Sequence, residues 1–257
     1  MDDLMIEAYL TRIGATRPVR PDADSLRDLQ LRHLRTVPFE NLSIHLDEPI
    51  SLEEDPLLDK LLRRRRGGFC YELNGAFAGL LRALGYDVTM LAARVHTPVG
   101  LGPPLDHLAL RVELDEPWLA DVGFGRFSHY PLRLADRGDQ SDPAGTFLMV
   151  DAGDGDIEVH LDGKPAYRIE PHSRQLRDFD AMAWWQGHSP QSHFARSLVC
   201  SRLTEEGRVT LSGRTLVETE GTERTERVLE SDRDVLAAYD QRFGFTLDQV
   251  PEVARPG

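Results

Sequence analysis

Three side chains in this sequence have the types and the order that nucleophilic catalysis requires. Cys70 stands behind two glycines in RGGFCYELNGAF (66–77), His107 opens an apolar run in PPLDHLALRVEL (103–114), and Asp121 closes another in PWLADVGFG (117–125). A nucleophilic thiol needs a base within reach and a third group to orient that base. Leu73, Phe77, Leu80, Leu81 and Leu84 recur at helical spacing, so the sequence predicts a helix from about Cys70 to Leu84, closed by Gly85. Cys70 then falls in the first turn, near unsatisfied N–H groups and the positive end of the helix dipole, where thiolate is favoured over thiol. The two glycines let the backbone turn sharply and leave room for a substrate to approach the sulfur. Taken singly, each residue also has an ordinary reading: a buried cysteine between helices, a strand-edge histidine, a turn carboxylate. Their combination points to a Cys–His–Asp set, because two neighbouring strands can present His107 and Asp121 side by side. Cys200, inside the alternating run SLVCSRL (197–203), reads as a strand-core cysteine.

The elements that must hold these residues change character along the chain. Residues 1–86 read as helical. Asp2 can cap a helix ending at Gly14, Ser25 a second that stops at Val37-Pro38, and Asp55-Pro56 starts a third. From Asp87 the period shortens: VTMLAARV, LALRVEL, WLADVGF, TFLMV, IEVHL and AYRIE are β-type runs separated by Gly- and Asp-rich turns. A helix over about 178–187 follows, with Trp184 and Trp185 expected to pack on its amphipathic face. Strands and a helix capped near Ser231 complete the chain. The expected organisation is α+β: a helical N-terminal lobe (1–86) carrying the nucleophile, a central antiparallel β-barrel (87–190) carrying His and Asp, and a C-terminal α/β lid (191–257).

Composition narrows the partners. With 43 acidic and 30 basic residues the formal net charge is -13, which disfavours nucleic acid and anionic membranes. The start, MDDLMIEAYL, has no basic-then-apolar signal pattern, no apolar run reaches the ~20 residues of a membrane span, and two cysteines are too few for a disulfide framework. The expectation is a cytoplasmic protein with free thiols. RRRR (63–66) reads mainly as a solvated helix face, and DAGDGDIE (151–158) lacks the ligand order of a calcium loop and reads as a hairpin turn. No metal motif, Walker loop or G-x-S-x-G elbow is present.

Four stretches resemble the arylamine N-acetyltransferase family: VPFENLSIHL (37–46), RRGGFCYELNGAFAGLLRALGY (65–86), DHLALRV (106–112) and WLADVGFG (118–125). Weaker similarity continues through SPQSHF (189–194), GRVTLSG (207–213) and RVLESDRDVLAAYDQRFGF (227–245). The resemblance implies a helical bundle, a β-barrel and an α/β lid around a papain-like cysteine-enzyme core. It implies a catalytic triad of Cys70, His107 and Asp121, a structural Glu40–Arg66 pair beside the cysteine, and an acceptor pocket lined by Phe39, Val95 and Phe124. It also implies acetyl-CoA as the acyl donor, no permanently bound cofactor, no metal, and a small aromatic amine or hydrazine, xenobiotic or endogenous, as acceptor. The coenzyme contacts are not assigned, and the oligomeric state is left at monomer or homodimer. The same triad also suits an amide synthase joining an acyl chain to an aromatic amine, or a papain-type thiol hydrolase. A binding module with a vestigial site is harder to reconcile with all three residues.

Overall fold

The structure is a computed structural model and describes residues 1–253. Its helices are α1 (Asp3–Ile13), α2 (Ala23–Thr36), α3 (Leu42–His45), α4 (Glu54–Leu58), α5 (Cys70–Ala83), α6 (Asp180–His188), α7 (His193–Arg196) and α8 (Asp232–Ala238). Its strands are β1 (Phe39–Glu40), β2 (Asp87–Thr97), β3 (Gly100–Leu101), β4 (His107–Glu113), β5 (Pro117–Ala120), β6 (Leu132–Arg133), β7 (Gln140–Asp142), β8 (Gly145–Asp151), β9 (Ile157–Leu161), β10 (Lys164–Arg174), β11 (Val199–Leu203), β12 (Gly207–Ser212), β13 (Thr215–Glu220) and β14 (Glu223–Val228).

Local chemistry accounts for several element ends. The Asp2 carboxylate accepts from Met5 N–H at 2.8 Å, and Gly14 closes α1 in the left-handed conformation. For α2 the cap is Asp22, not Ser25. Ser25 sits three residues on and completes a capping box, its N–H donating to Asp22 Oδ1 at 2.9 Å while its hydroxyl accepts from Asp22 N–H at 3.1 Å. The helix expected with Asp55 as cap and Pro56 as its first residue starts two residues earlier, at Glu54, and continues as a π-helical turn over Asp59–Arg63. Pro56 is accommodated because the first-turn N–H groups have no intrahelical acceptor. Trp184 is not packed. It is 64% exposed and stacks on His188, ring centroids 4.8 Å apart, because α6 turns Ala183 and Gln186 inward instead.

The central sheet runs β6-β5-β4-β2-β10-β9-β8-β7 and curls into a nearly closed antiparallel barrel. Its seam is bridged by a side chain: Gln140 accepts from Arg133 N–H at 2.8 Å and donates to Arg133 C=O at 2.9 Å, as a paired strand would. Strands β2, β4 and β5 are covered on both faces. Met90, Ala92, Leu108, Leu110, Val112 and Ala120 join the core shared with α5, whereas Leu91, Ala93, Ala109 and Leu119 line the barrel interior. Burial on both faces is why these strands read as unbroken apolar runs. The second sheet, β1-β11-β12-β13-β14, packs with α8 around Leu211, Val235, Tyr239 and Phe243. Its edge strand β1 comes from the segment between α2 and α3, so the chain's early residues are stitched to its late ones. Among the described residues no helix is long and apolar enough to cross a membrane.

Candidate active site

Cys70 is the first residue of α5. The ladder of that helix begins with Leu73 N–H donating to Phe69 C=O at 3.0 Å, so the N–H groups of residues 70–72 precede it and give the helix start its positive character. Glu72 reaches back to Phe69 N–H at 3.2 Å and fixes the turn. The glycines before the cysteine answer to close packing. A Cβ on Gly67 would overlap the Pro38 carbonyl, and one on Gly68 would collide with the Glu72 side chain. Sulfur-bearing Cys70 itself is buried, 4% exposed.

The barrel delivers the other two residues to this helix start. His107 is the first residue of β4, paired with Ala93 of β2, and Asp121 follows the last residue of β5. By strand alternation both lie on the interior face defined by Ala109 and Leu119. His107 Nε2 and Asp121 Oδ2 are 2.7 Å apart, both residues almost fully buried. That leaves Nδ1 as the ring nitrogen for the sulfur. Burial pushes the imidazole pKa down, but the Asp121 charge and hydrogen bond, with added contributions from Cys70, outweigh it and raise it from 6.5 to about 10. Burial pushes the Asp121 carboxyl up, and His107, Asn74 and the Gly123 N–H more than reverse this, holding it below its ordinary value. The imidazole is therefore held as a cation against a carboxylate.

Several residues that sequence reasoning had not singled out complete this centre. Asn74, one turn along α5, donates to Asp121 Oδ1 at 2.9 Å and to Leu108 C=O at 2.6 Å, and accepts from Val122 N–H at 2.9 Å. Tyr167 of β10 donates to Asp121 Oδ2 at 3.1 Å, and Gly123 N–H donates to Oδ1 at 2.9 Å. Gly123 passes so close to the helix that an added Cβ would lie 2.7 Å from Cys70 Cα. The one sequence signal for Asn74 was its i+4 position from Cys70, which puts it on the same helix face. Tyr167 carried no signal, since it reaches Asp121 only through barrel closure.

The Glu40–Arg66 pair lies within a larger buried network. Arg66 Nε donates to Glu40 Oε1 at 3.0 Å and its Nη1 to Glu48 Oε2 at 3.2 Å. Lys60 Nζ donates to Glu72 Oε1 at 2.6 Å and lies 3.9 Å from Glu40. Burial raises both carboxyls. For Glu40 the charges of Arg66 and Lys60 prevail and hold it low, whereas Glu72 stays raised despite Lys60. Residues 63–65 are exposed and only Arg66 is buried, which separates the arginine run into a solvated part and a structural one.

Aromatic rings border the reacting centre. Phe124 meets His107 edge-on at 5.1 Å and Tyr167 at 5.1 Å. Phe39 lies 6.0 Å from Phe194 and against Gly125, whose added Cβ would be 3.6 Å from the Phe39 ring. Phe39, Val95 and Phe124 are all half-buried, and Val95 pairs with Tyr167. A cavity of about 720 Å³ lined by residues 63–66, Phe245 and their neighbours contains none of Cys70, His107 or Asp121, and its arginines are engaged by Asp59, Glu48, Gly244 C=O and Glu40. Among the described residues no group of three His, Cys, Asp or Glu could hold a metal ion.

A thiol at a helix start beside a carboxylate-held imidazolium can take an acyl group and pass it on. Comparison with known proteins agrees with such chemistry. A family model described as N-acetyltransferase matches residues 22–252. The arylamine N-acetyltransferase of Escherichia coli (strain K12) is 35% identical over 253 residues, covering 95% of this chain and 90% of that one. The structure of the Salmonella typhimurium arylamine N-acetyltransferase superposes with a TM-score of 0.89 at 32% identity, over 99% of this chain and 96% of that one. The Mycobacterium marinum arylamine N-acetyltransferase, solved in complex with CoA, gives a TM-score of 0.85 at 32% identity, over 93% and 92% of the two chains.

Proposed function

The chain belongs to the arylamine N-acetyltransferase family, and from that premise we propose that it works in two half-reactions through Cys70, His107 and Asp121. The overall reaction is transfer of the acetyl group of acetyl-CoA to the nitrogen of an arylamine. The observation that carries the assignment of residues is the 2.7 Å His107–Asp121 contact at the N-terminus of the helix that begins with Cys70.

In the first half-reaction the Cys70 sulfur attacks the thioester carbonyl. A new S–C bond forms, the carbonyl oxygen takes up negative charge, and the first-turn N–H groups of α5 are suited to receive it. The bond to the CoA sulfur then breaks, and the leaving thiolate takes the His107 proton. Exchanging one thioester for another is nearly balanced in energy, so no further driving force is needed. In the second half-reaction an arylamine, neutral at pH 7, attacks the acetyl-cysteine. The N–C bond forms, the S–C bond breaks, and the amine proton passes to His107, which restores the starting pair. Asp121 keeps the imidazole in one orientation and stabilises its charged form. Phe39, Val95 and Phe124 would favour an aromatic acceptor over water by offering an apolar, ring-lined wall. Arylhydrazines fit the same description. A cytoplasmic location is in keeping with two free cysteines.

Intact-protein mass spectrometry tests this reading. Wild type mixed with acetyl-CoA alone gains one acetyl group, which an arylamine then removes, and Cys70→Ser gains none. An acetyl group that persists on Cys70→Ser, or one that no amine removes, overturns the assignment.

A further inference from the structure

Strand β14 ends the C-terminal sheet with a free edge. All six of its residues, ERTERV, are exposed, and nothing among the described residues covers its outer side. An uncovered edge of this length is a template for pairing with another chain. The backbone parity is set by the hairpin to β13. Glu220 and Glu223 close a two-residue turn and form a hydrogen-bonded pair, so residues 223, 225 and 227 direct their N–H and C=O groups to β13. Leu229 N–H on Arg214 C=O, 2.8 Å, continues the same alternation. Residues 224, 226 and 228 therefore direct theirs outward.

We infer that β14 is a homodimer edge, pairing antiparallel with β14 of a second copy about a two-fold axis through Thr225. Only registers that set outward-facing residues opposite one another satisfy the backbone. Among these, the register centred on Thr225 places Arg224 opposite Glu226 of the second copy and Glu223 opposite Arg227, on alternate faces. Shifting the axis one step either way sets Arg224 against Arg224 or Glu226 against Glu226. Charge and hydrogen-bond parity thus select the same register. The segment 223–228 holds two Glu and two Arg and is neutral, in a chain of net charge -13, so the edge itself adds no like-charge repulsion to that of the rest of the surface. The Arg224–Glu226 ion pair of the single chain, 2.7 Å and half-exposed, is exchanged for the same pair across the axis. Edge pairing buries a small area, so the dimer is weak, concentration-dependent and loosened by salt.

Sedimentation velocity of the full chain from micromolar to about 1 mM tests this, with acetyl transfer as the check on folding. Wild type shifts toward dimer with concentration. Arg224→Glu and Glu226→Arg each create like-charge pairs on both sides of the axis and weaken association about tenfold or more. The double swap Arg224→Glu/Glu226→Arg restores it, because each new Glu again faces an Arg. All variants keep acetyl transfer. A wild type that stays monomeric, single variants that associate as well as wild type, or a double swap that fails to recover would each overturn the inference.

Discussion

At the residue scale, Asp121 receives four hydrogen bonds, from His107 Nε2, Asn74, Tyr167 and the Gly123 N–H. A fully satisfied buried carboxylate cannot rotate, so it transmits one orientation to the imidazole. Asp121→Asn should lower the rate of acetyl-enzyme formation by about 10³–10⁴-fold, as loss of an orienting carboxylate does in other triads. Because the Asp121 charge is the main influence raising His107, the alkaline limb of that rate should also move from near pH 10 toward the ordinary histidine value. A variant whose limb stays put would show that the carboxylate does not set the proton affinity of His107. Stability follows the same pair. His107 is raised from 6.5 to about 10, so its stabilisation is complete below pH 6.5 and is lost as pH climbs to about 10. Asp121 is lowered, so its stabilisation is present above the ordinary aspartate range and is lost in acid. Urea midpoints should fall across pH 6.5–10 in wild type and much less in His107→Gln. Equal slopes would count against the raised histidine.

At the element scale, the start of α5 is held from behind by charges with almost no access to water. Among the described residues Lys60 is the one cation beside Glu72, and Glu72 in turn holds the Phe69 N–H. Lys60→Met should cost about 3–5 kcal/mol, the usual penalty for leaving a buried partner unpaired. Lys60→Met/Glu72→Gln should recover much of that, since the amide still accepts from Phe69 and no charge remains stranded. Denaturant unfolding of both variants decides the matter, and a double variant no better than the single would move the cause elsewhere.

At the scale of the whole molecule, the aromatic wall beside the site is assembled from residues far apart in the chain. Asn41 donates to Phe194 C=O at 2.9 Å and to Ser197 C=O at 2.5 Å, and accepts from Val199 N–H at 2.9 Å. This join, together with β1 on β11, sets Phe194 against Phe39 and Phe69. Asn41→Ala should lower the melting temperature by several degrees, as ~1–2 kcal/mol does for a chain of this size. It should also raise KM for the arylamine several-fold while acetylation by acetyl-CoA alone changes little. A KM that is unchanged would separate the join from the acceptor site.

Cys70 at a helix start, His107 opening one strand and Asp121 closing the next, and the helix-then-strand order were legible in the sequence because each rests on local rules of capping and periodicity; the close packing that requires Gly67 and Gly68 was not, since Pro38 comes from elsewhere in the chain. Strands β2, β4 and β5 were legible as short β-type runs, but the covering of both their faces was not. Element starts were less so: Ser25 stood where Asp22 does the capping, since in a capping box both residues carry oxygens. The exposure of Trp184 was missed because a helix in isolation does not reveal which face its neighbours cover. Tertiary structure alone decided that Asn74 and Tyr167 converge on Asp121, that Lys60, Glu48 and Glu72 extend the Glu40–Arg66 pair, and that Gln140 bridges the barrel seam. These contacts join residues 12 to 47 positions apart, or lie across an unpaired edge. Such pairings depend on barrel curvature and on the packing of α5 against the sheet, which no short window of sequence encodes.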